Sequence, residues 1–358
     1  MREFYLVSIV ALLVFAPVER NSEVHFPPQR FDLPDAAEAA EDGIDVLAYN
    51  AFMRPLPVGL GDDNFCRSLQ IGDWLDNATA DYDLVAFTET FDLRSTQVLR
   101  HKLRKSYPYQ VLRKPLREGL ETNGGLSLFS KFPIENWTSK RFDDCSGTFN
   151  DCLAAKGFVH ALIRVSDDVK FNVIATHLNS GGSQGSQQAR STQLAQIREY
   201  ISDNTDIDQW PTLLMGDLNV DGLRYDRDHP MATEYDEMMS TLTAACGPDE
   251  DCSDGPVDAI REHLGPWSFD EEATRAVNTY NCANHGLESC SDVSQPEFFS
   301  SRQRLDYVID LGTPTAAPHR RLELKDAAHR SMRDDSCDTT FLSDHAAIEA
   351  SYEIRFDG

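Results

Sequence analysis

The 358-residue sequence predicts an α/β fold in which helices cover sheets that pack against each other. Eight short apolar runs, each bounded by turn-forming residues, are typical of β-strands. Most of these runs are continuous rather than alternating, which indicates sheets buried on both faces. Segments between some of the runs carry apolar residues three and four positions apart, the spacing of an amphipathic helix.

The predicted strands extend from the first quarter of the chain to its end. In order they are IDVLAYNAF, DLVAFTETF, GLSLFSKFPI, FVHALIRV, FNVIATHLN, PTLLMGDLNV, RLDYVIDL and HAAIEASYEI. The two clearest helical segments are RSTQVLRHKLRKSY, after the second strand, and SQQARSTQLAQIREYI, after the fifth. The sequence contains no internal repeat.

The N-terminal region differs in composition from the rest of the chain. Residues 1–17 predict a signal peptide, because Arg2 precedes an apolar run from Phe4 to Ala16 that is too short to span a bilayer. A buried strand is the alternative interpretation of this run. Residues 18–42 predict a polar linker, and residues 43–358 predict a single catalytic domain with a loop-rich insertion around 222–300. No later run suits a membrane span, so we expect no transmembrane anchor.

The eight cysteines favour export, because disulfides persist in oxidising compartments. Their spacing suggests three local pairs and leaves two distant cysteines for each other. The suggested pairs are Cys145 with Cys152, Cys246 with Cys252, Cys282 with Cys290, and Cys66 with Cys337. Other connectivities stay open, and none of the spacings matches a zinc motif.

The net charge is strongly negative, at −26 from 33 basic and 59 acidic residues. The acidic residues are spread along the chain, which is typical of a solvated, self-repelling surface. This charge argues against nucleic acid as a partner, because a polyanion is usually bound by a broad basic face. Divalent cations, by contrast, suit such a surface.

Polar residues of four types recur at or near the ends of the predicted strands. They are Asn50, Glu89, His177, Asp217 with Asn219, Asp306, and Asp344 with His345. A single buried histidine or acid is more often structural than functional. Six strands that all carry such residues are harder to explain as independent structural features, so together they predict a functional site.

The segment GDLN shows two ways of interpreting these strand ends. On a strand, residues two apart face the same way, so Asp217 and Asn219 are predicted to project together while Leu218 points into the core. Gly216 allows the backbone to bend or to pass closely there. Taken alone, the segment fits an Asx turn that closes the strand equally well.

The residue types fit a single reaction. Asparagine and glutamate oxygens are suitable ligands for Mg²⁺, and a histidine beside a carboxylate can accept a proton near neutral pH. Histidine, asparagine and a metal can together stabilise negative charge on a phosphoryl group. The sequence has neither a GxSxG nucleophile motif nor a glycine-rich phosphate loop with lysine. The pattern indicates metal-assisted attack of water on a phosphate ester.

The strand-end motifs, taken in order, resemble those of a known family. The ordered motifs YNAFMRP, FTETFD, ATHLNS, MGDLNVDG, RLDYVI and SDHAAIEA, over most of residues 44–356, resemble the endonuclease/exonuclease/phosphatase superfamily. The segments NGGLSLFSKFPI, AAKGFVH and ARSTQLAQIREYI resemble its secreted, bacterial-type neutral sphingomyelinases. This resemblance implies a four-layer αββα sandwich of two packed mixed sheets flanked by helices, with the site at one end of the sheets. It also implies a secreted, monomeric, Mg²⁺-dependent enzyme that hydrolyses sphingomyelin to ceramide and phosphocholine at a membrane surface.

The resemblance implies three metal-site residues. Glu89 is the expected main ligand of Mg²⁺ or another divalent cation, Asn50 lies beside it, and Asp344 is close to the metal.

Five further residues are implied to be catalytic. His345 is the expected general base, and Asp306 orients it. Asp217 and Asn219 are expected to orient the attacking water and the phosphate, while His177 binds the phosphoryl oxygens.

One segment departs from the family pattern. Relatives that attack membranes carry an aromatic-tipped hairpin before the final SDH, whereas DAAHRSMRDDSCDTTFLSDH is polar here and has only Phe341. We therefore do not expect aromatic anchors from this loop. Two alternatives stay open: an extracellular nuclease or lysophospholipid phosphodiesterase of the same fold, and a catalytically inert secreted binding protein.

Overall fold

The computed structural model describes thirteen segments of the chain. They are residues 24–25, 29–30, 43–55, 57–78, 81–112, 123–147, 150–204, 209–223, 233–243, 255–265, 303–312, 320–337 and 341–356. The predicted signal peptide, most of the predicted linker, most of the 222–300 insertion, and the pairs Cys246–Cys252 and Cys282–Cys290 lie outside these segments.

The first sheet has seven strands within the described residues. In spatial order they are β1 (Val24–His25), β7 (Ile134–Arg141), β8 (Gly157–Arg164), β9 (Lys170–His177), β10 (Thr212–Asp217), β12 (Asp306–Asp310) and β11 (Val257–Asp258). Strands β9 and β10 are parallel, and the remaining neighbours are antiparallel. The sheet is therefore mixed.

The second sheet has the same number of described strands. In spatial order they are β13 (Arg320–Arg330), β14 (Ala347–Phe356), β3 (Gly43–Met53), β4 (Leu84–Thr90), β6 (Ser127–Ser130), β5 (Tyr109–Leu112) and β2 (Gln29–Arg30). Only β3 and β4 form a parallel pair among them. Strands β1 and β2 lie within the segment assigned to a linker, and each pairs with the edge of one sheet.

Six helices are described, and most cover the outer faces of the sheets. They are α1 (Asn64–Asn77), α2 (Leu93–Lys102), α3 (Asn150–Leu153), α4 (Gln184–Asp203), α5 (Glu234–Thr243) and α6 (Ala259–Leu264). Helices α1 and α2 pack on the second sheet, and α4 and α5 pack on the first. No helix in the described part of the chain is long and apolar enough to cross a bilayer.

The core has three layers that match this arrangement. On β3, Val46 and Ala48 face the other sheet, whereas Leu47 and Tyr49 face the helices. Because both faces of the central strands are buried, their sequences are continuous apolar runs rather than alternating ones. The structure confirms the predicted αββα sandwich of two mixed sheets flanked by helices.

Two disulfides lie within the described residues. Cys66 bonds to Cys337 with a Cα–Cα distance of 5.8 Å, and Cys145 bonds to Cys152 with a Cα–Cα distance of 5.4 Å. These pairings confirm two of the four that the spacing suggested. The first joins α1 to the segment that precedes the final strand, although the two cysteines are 271 residues apart.

Gly216 allows β10 to pass unusually close to β9. Its φ is +129°, and a Cβ atom at this position would lie 2.1 Å from the carbonyl oxygen of Thr176. No side chain fits at that distance, so glycine is required immediately before Asp217, where β10 ends.

We predict that Gly216→Ala destabilises the fold by about 2 kcal/mol or more, because the new methyl group collides with rigid backbone and φ is unfavourable for alanine. Urea unfolding measures this change. Gly182→Ala is the control, since a Cβ there meets nothing within 4 Å; its effect should stay within about 0.5 kcal/mol. Equal effects of the two substitutions would contradict the close approach of β10 and β9.

Candidate functional site

Three polar residues form a row across the end of the first sheet. His177 is the last residue of β9, Asp217 is the last residue of β10, and Asp306 is the first residue of β12. The strand register pairs His177 with Asp217, and Asp217 with Asp306. All three are at most 4% exposed. The sheet register therefore places an imidazole and two carboxylates side by side, out of solvent.

The second sheet supplies Asn50 from β3 and Glu89 from β4. The register between these strands shifts between Asn50 and Met53, so the regular ladder is interrupted beside the site. Glu89 has a φ of 55°, and Phe52 has a φ of 49°; both values lie in the left-handed region that non-glycine residues rarely adopt. Backbone of this kind is concentrated at functional sites, because the surrounding structure must hold it in place.

Hydrogen bonds join the two sheets at this position. The Asn50 Nδ2 group donates to Asp217 Oδ2 at 3.0 Å, and His345 Nδ1 lies 2.6 Å from Asp306 Oδ2. Ser343 Oγ donates to the Asn50 carbonyl at 2.6 Å and accepts from the His345 backbone N–H at 3.1 Å. The segment that carries His345 is thus fixed against β3.

Asn219 corrects one expectation from the sequence. Strand β10 ends at Asp217, and Asn219 has a φ of 53°, so the two residues do not share a strand face. Instead the Asn219 backbone N–H donates to Asp217 Oδ1 at 2.9 Å, which is the Asx turn that the sequence left open. The Asn219 Nδ2 group donates to the Leu178 carbonyl at 3.1 Å, so its side chain lies next to the end of β9. Leu218 is fully buried, as predicted.

Two further positions differ slightly from the prediction. Asn50 lies inside β3 rather than at its end, because the strand continues to Met53. Asp344 and His345 precede β14 rather than beginning it, since this strand starts at Ala347. The site residues on this side are therefore held by loops and bulges as much as by regular strand.

The carboxylates of the site hold shifted pKa values. Burial, and then the charge of Asp344, raise the pKa of Glu89 to about 7. Burial, and then the charge of Asp306, raise the pKa of Asp217 to about 6. Burial also raises the pKa of Asp344. Each shift reflects the cost of collecting negative charge away from water, which a proton or a cation relieves.

The two histidines are in opposite charge states. Burial, followed by the nearby Lys156 ammonium, lowers the pKa of His177 well below its usual value, so this imidazole is neutral. Burial acts in the same direction on His345, but Asp306 and Asp344 outweigh it and raise its pKa well above the usual value. The pairing with Asp306 therefore favours the protonated imidazole of His345.

Lys156 is a further site residue, which the sequence patterns did not predict. It is 6% exposed, and its Nζ atom lies 3.1 Å from His177 Nε2. It also donates to the Leu178 carbonyl at 2.7 Å and forms a 2.6 Å ion pair with Asp151. The sequence did contain a signal, because a lysine within the apolar run AAKGFVHALI must either be paired or carry a function.

Lys156 also fixes the tautomer of His177. An ammonium can only donate, so Nε2 of the neutral imidazole is the acceptor, and the ring proton lies on Nδ1. That Nδ1 atom is buried and has no hydrogen-bond partner within the described residues. A buried donor without a partner is costly, and such an atom calls for a structural or functional explanation.

The donor set fits a divalent cation. Ligand atoms of Glu89, His177 and Asp217 all lie within 4.8 Å of one another, and so do those of Asp217, Asp306 and His345. The oxygens of carboxylates and of Asn50 are hard ligands, which Mg²⁺ and Ca²⁺ prefer. Burial, and then neighbouring carboxylates, raise the pKa of both Glu89 and Asp217, so a cation bound there would relieve an unfavourable charge. Predicted metal and catalytic residues from both sheets thus meet in one place.

Comparison with known proteins finds the same family over most of this domain. The Endonuclease/Exonuclease/phosphatase family model matches residues 47–345, a range that contains all eight predicted site residues. The resemblance to this superfamily is therefore confirmed.

Two curated relatives are named for one activity. Sphingomyelinase C 2 of Leptospira interrogans is 32% identical over 231 residues, which cover 59% of this chain and 35% of that protein. Sphingomyelinase C of Bacillus cereus is 25% identical over 266 residues, which cover 69% of this chain and 73% of that protein. This chain thus spans about a third of the length of the Leptospira protein.

A solved structure supports the fold. A variant of beta toxin from Staphylococcus aureus, with bound magnesium ions, superimposes with a TM-score of 0.59 at 19% identity; the match covers 86% of this chain and 99% of that one.

We predict that Glu89→Gln stabilises the metal-free protein by about 1 kcal/mol or more at pH 8, because it removes a partly buried charge that lies beside other carboxylates. The folded-state pKa of about 7 lies above the ordinary glutamate pKa of 4.5, so ionisation of Glu89 weakens the fold increasingly between these values. The gain should therefore be full above pH 7 and vanish towards pH 4.5. Urea unfolding in EDTA at pH 8 and at pH 4.5 measures the difference in unfolding free energy between the variant and the wild-type protein.

The same variant should lose most of the stabilisation that Mg²⁺ gives the wild-type protein. Glu199→Gln, at an exposed position on α4, is the matched control and should behave as wild type in both conditions. Equal stabilisation of all three proteins by Mg²⁺ would show that Glu89 is not a ligand.

Proposed function

This chain belongs to the endonuclease/exonuclease/phosphatase family, and from that membership we propose that it is a secreted, Mg²⁺-dependent phosphodiesterase that hydrolyses sphingomyelin to ceramide and phosphocholine. The observation that carries the proposal is the His345–Asp306 pair, 2.6 Å apart, beside a group of buried carboxylates where the two sheets meet. An imidazole held by a carboxylate next to a cation site can activate water towards a phosphodiester.

His345 is the proposed general base. Asp306 holds its Nδ1 atom, which leaves Nε2 to face the interior of the site, 3.5 Å from Asn50 Nδ2 and 4.0 Å from Asp217 Oδ2. Asp217 accepts hydrogen bonds from Asn50 and from the Asn219 backbone, so its carboxylate is fixed in position to orient a water molecule. Removal of a proton from that water by Nε2 generates the nucleophile that attacks phosphorus.

The phosphoryl group is proposed to bind at the end of β9. His177 lies there, and the Lys156 ammonium, 3.1 Å from His177 Nε2, contributes positive charge in a buried environment. Asn219, held beside Leu178, adds an amide at the same edge. Donors that are already in place stabilise the negative charge of the transition state without reorganisation.

The metal is proposed to bind to Glu89 with Asn50 beside it and Asp344 nearby. When bound, a divalent cation neutralises charge on the phosphoryl and leaving oxygens. Additional positive charge there also offsets the carboxylates that raise the pKa of His345, which favours the neutral imidazole that a base requires. Mg²⁺ is the first choice because the donors are hard oxygens, and other divalent cations share this preference.

The choice of substrate depends on the relatives and on charge. The net charge of −26 opposes binding to a polyanion, but it does not oppose binding to a zwitterionic lipid. Two disulfides support an oxidising compartment and therefore export. We propose that the protein acts as a monomer at a membrane surface. The rival functions are a nuclease or lysophospholipid phosphodiesterase of the same fold, and an inert binding protein.

We predict that the wild-type protein releases phosphocholine from sphingomyelin in Mg²⁺ and does not nick plasmid DNA. His345→Ala should lower the rate about a hundred- to ten-thousand-fold, because it removes the general base. His263→Ala, which removes a partly exposed histidine paired with Asp326, is the control and should keep full activity. Nicking of DNA without phosphocholine release would reject the substrate, and the absence of turnover on both would favour the binding protein.

A further inference from the structure

Large apolar side chains are exposed at one end of the second sheet. Six such side chains are exposed in the described part of the chain, and four belong to the segments that follow β3 and β4. These four are Val58 at 52%, Leu60 at 75%, Phe65 at 59% and Leu93 at 58% exposure. Single exposed leucines are ordinary on soluble proteins, but several in one region are typical of an interaction surface.

These segments leave the two strands that carry the proposed metal ligands. Val58 and Leu60 follow Asn50 along the chain, and Leu93 begins α2 four residues after Glu89. Because β3 and β4 are parallel, the segments emerge at the same end of the sheet. Backbone bonds from the N–H groups of Phe91 and Asp92 to the Met53 carbonyl, at 3.1 and 2.9 Å, hold them together. The apolar side chains thus lie on segments that leave the sheet at the end that carries Asn50 and Glu89.

Hydrogen bonds hold together the described residues of the loop after β3, 54–55 and 57–63. At its base Arg54 makes two hydrogen bonds to Asp62, at 2.7 and 2.8 Å. The Asn64 side chain donates to the Arg54 carbonyl at 2.9 Å, and successive turns link Gly59 to Pro55 and Leu60 to Pro57. Hydrogen bonds between its own polar groups therefore stabilise the loop, whereas Val58 and Leu60 face solvent.

Arg67 and a disulfide fasten this surface to the catalytic segment. Arg67 is fully buried and donates to the carbonyls of Ala51, Asp62 and Leu342 at 2.7 to 2.9 Å. Cys66, the residue after Phe65, is bonded to Cys337. The apolar loop is therefore firmly attached to the segment that carries His345.

We propose that Val58, Leu60, Phe65 and Leu93 form a docking surface for an uncharged or zwitterionic lipid bilayer, an inference that rests on the proposed hydrolysis of sphingomyelin. Side chains of this kind enter the interface between headgroups and acyl chains. The charges on these segments are mixed, since Arg54 is paired with Asp62, and Arg94 lies two residues after Asp92. The basic residues of α2 (Arg100, His101 and Lys102) lie in its last turn, at the opposite end of the helix from Leu93. With a net charge of −26 on the whole chain, the surface suits zwitterionic rather than anionic lipid.

The segment before His345 makes no competing contribution among its described residues. Phe341 is its large aromatic residue, and it is only 8% exposed. Arg333 lies over the Phe341 ring, and the backbones of the two residues form an isolated bridge. The four large exposed apolar side chains are therefore on the segments after β3 and β4 and not on the segment before His345.

The test compares wild type with the double variant Leu60→Ser, Phe65→Ser. The control is Leu264→Ser, which removes a 45% exposed leucine on α6. Binding is measured by sedimentation with vesicles of phosphatidylcholine and sphingomyelin in EDTA, so that no lipid is consumed. Hydrolysis is measured in Mg²⁺ on the same vesicles and on a short-chain sphingomyelin below its micelle concentration. Because both substituted side chains are exposed, the circular dichroism spectrum and melting temperature should match wild type.

We expect the double variant to lose vesicle binding and vesicle hydrolysis at least about tenfold, while hydrolysis of the monomeric lipid changes less than about twofold. Wild type and the control should bind equally, and phosphatidylserine in the vesicles should weaken both. Unchanged binding by the double variant, or no binding by wild type, would overturn the docking surface. If wild type hydrolyses neither form of sphingomyelin, the proposed function fails, and the binding assay still decides whether the surface docks.

Discussion

Negative charge buried between the ends of two sheets is the constraint on which the site depends. Glu89 comes from one sheet, Asp217 and Asp306 from the other, and Asp344 from the segment before the last strand. Burial, and then their proximity to one another, raise the pKa of Glu89 and Asp217, so the fold is less stable than it would be with neutral residues there. Such a concentration of negative charge favours the binding of a cation and the protonated form of a nearby imidazole.

The rest of the fold holds these groups at fixed positions. The parallel register of β9 and β10 and the antiparallel register of β10 and β12 set one row of side chains. The Asn50–Asp217 and His345–Asp306 contacts then fix the second sheet relative to that row. Phe52, Glu89 and Asn219 have left-handed backbone conformations, which set the direction of their side chains. Packing on both faces of each sheet stabilises the fold against the cost of these conformations.

The sequence predicted the parts of this structure that repeat a simple pattern. All eight apolar runs contain or form strands, because burial on both faces leaves a clear signal. Edge strand β13 was missed because its charged sequence, RRLELKDAAHR, has no such run. Helix α1 was also missed, although its amphipathic pattern is as strong as that of α2, which was predicted. The gathering of site residues was predicted from strand ends, whereas Lys156 and the turn at Asn219 depend on neighbours distant in sequence or on local backbone.

The most direct test of the central claim is the position of a bound cation. Crystals grown with Mn²⁺ in place of Mg²⁺ give an anomalous signal that locates the metal without reference to activity. The account predicts a peak within coordination distance, about 2.0 to 2.3 Å, of a Glu89 carboxylate oxygen, with the Asn50 side-chain oxygen beside it. A protein that binds no Mn²⁺ in this region, or binds it only at surface carboxylates, would contradict the claim that the buried charge exists to hold a cation.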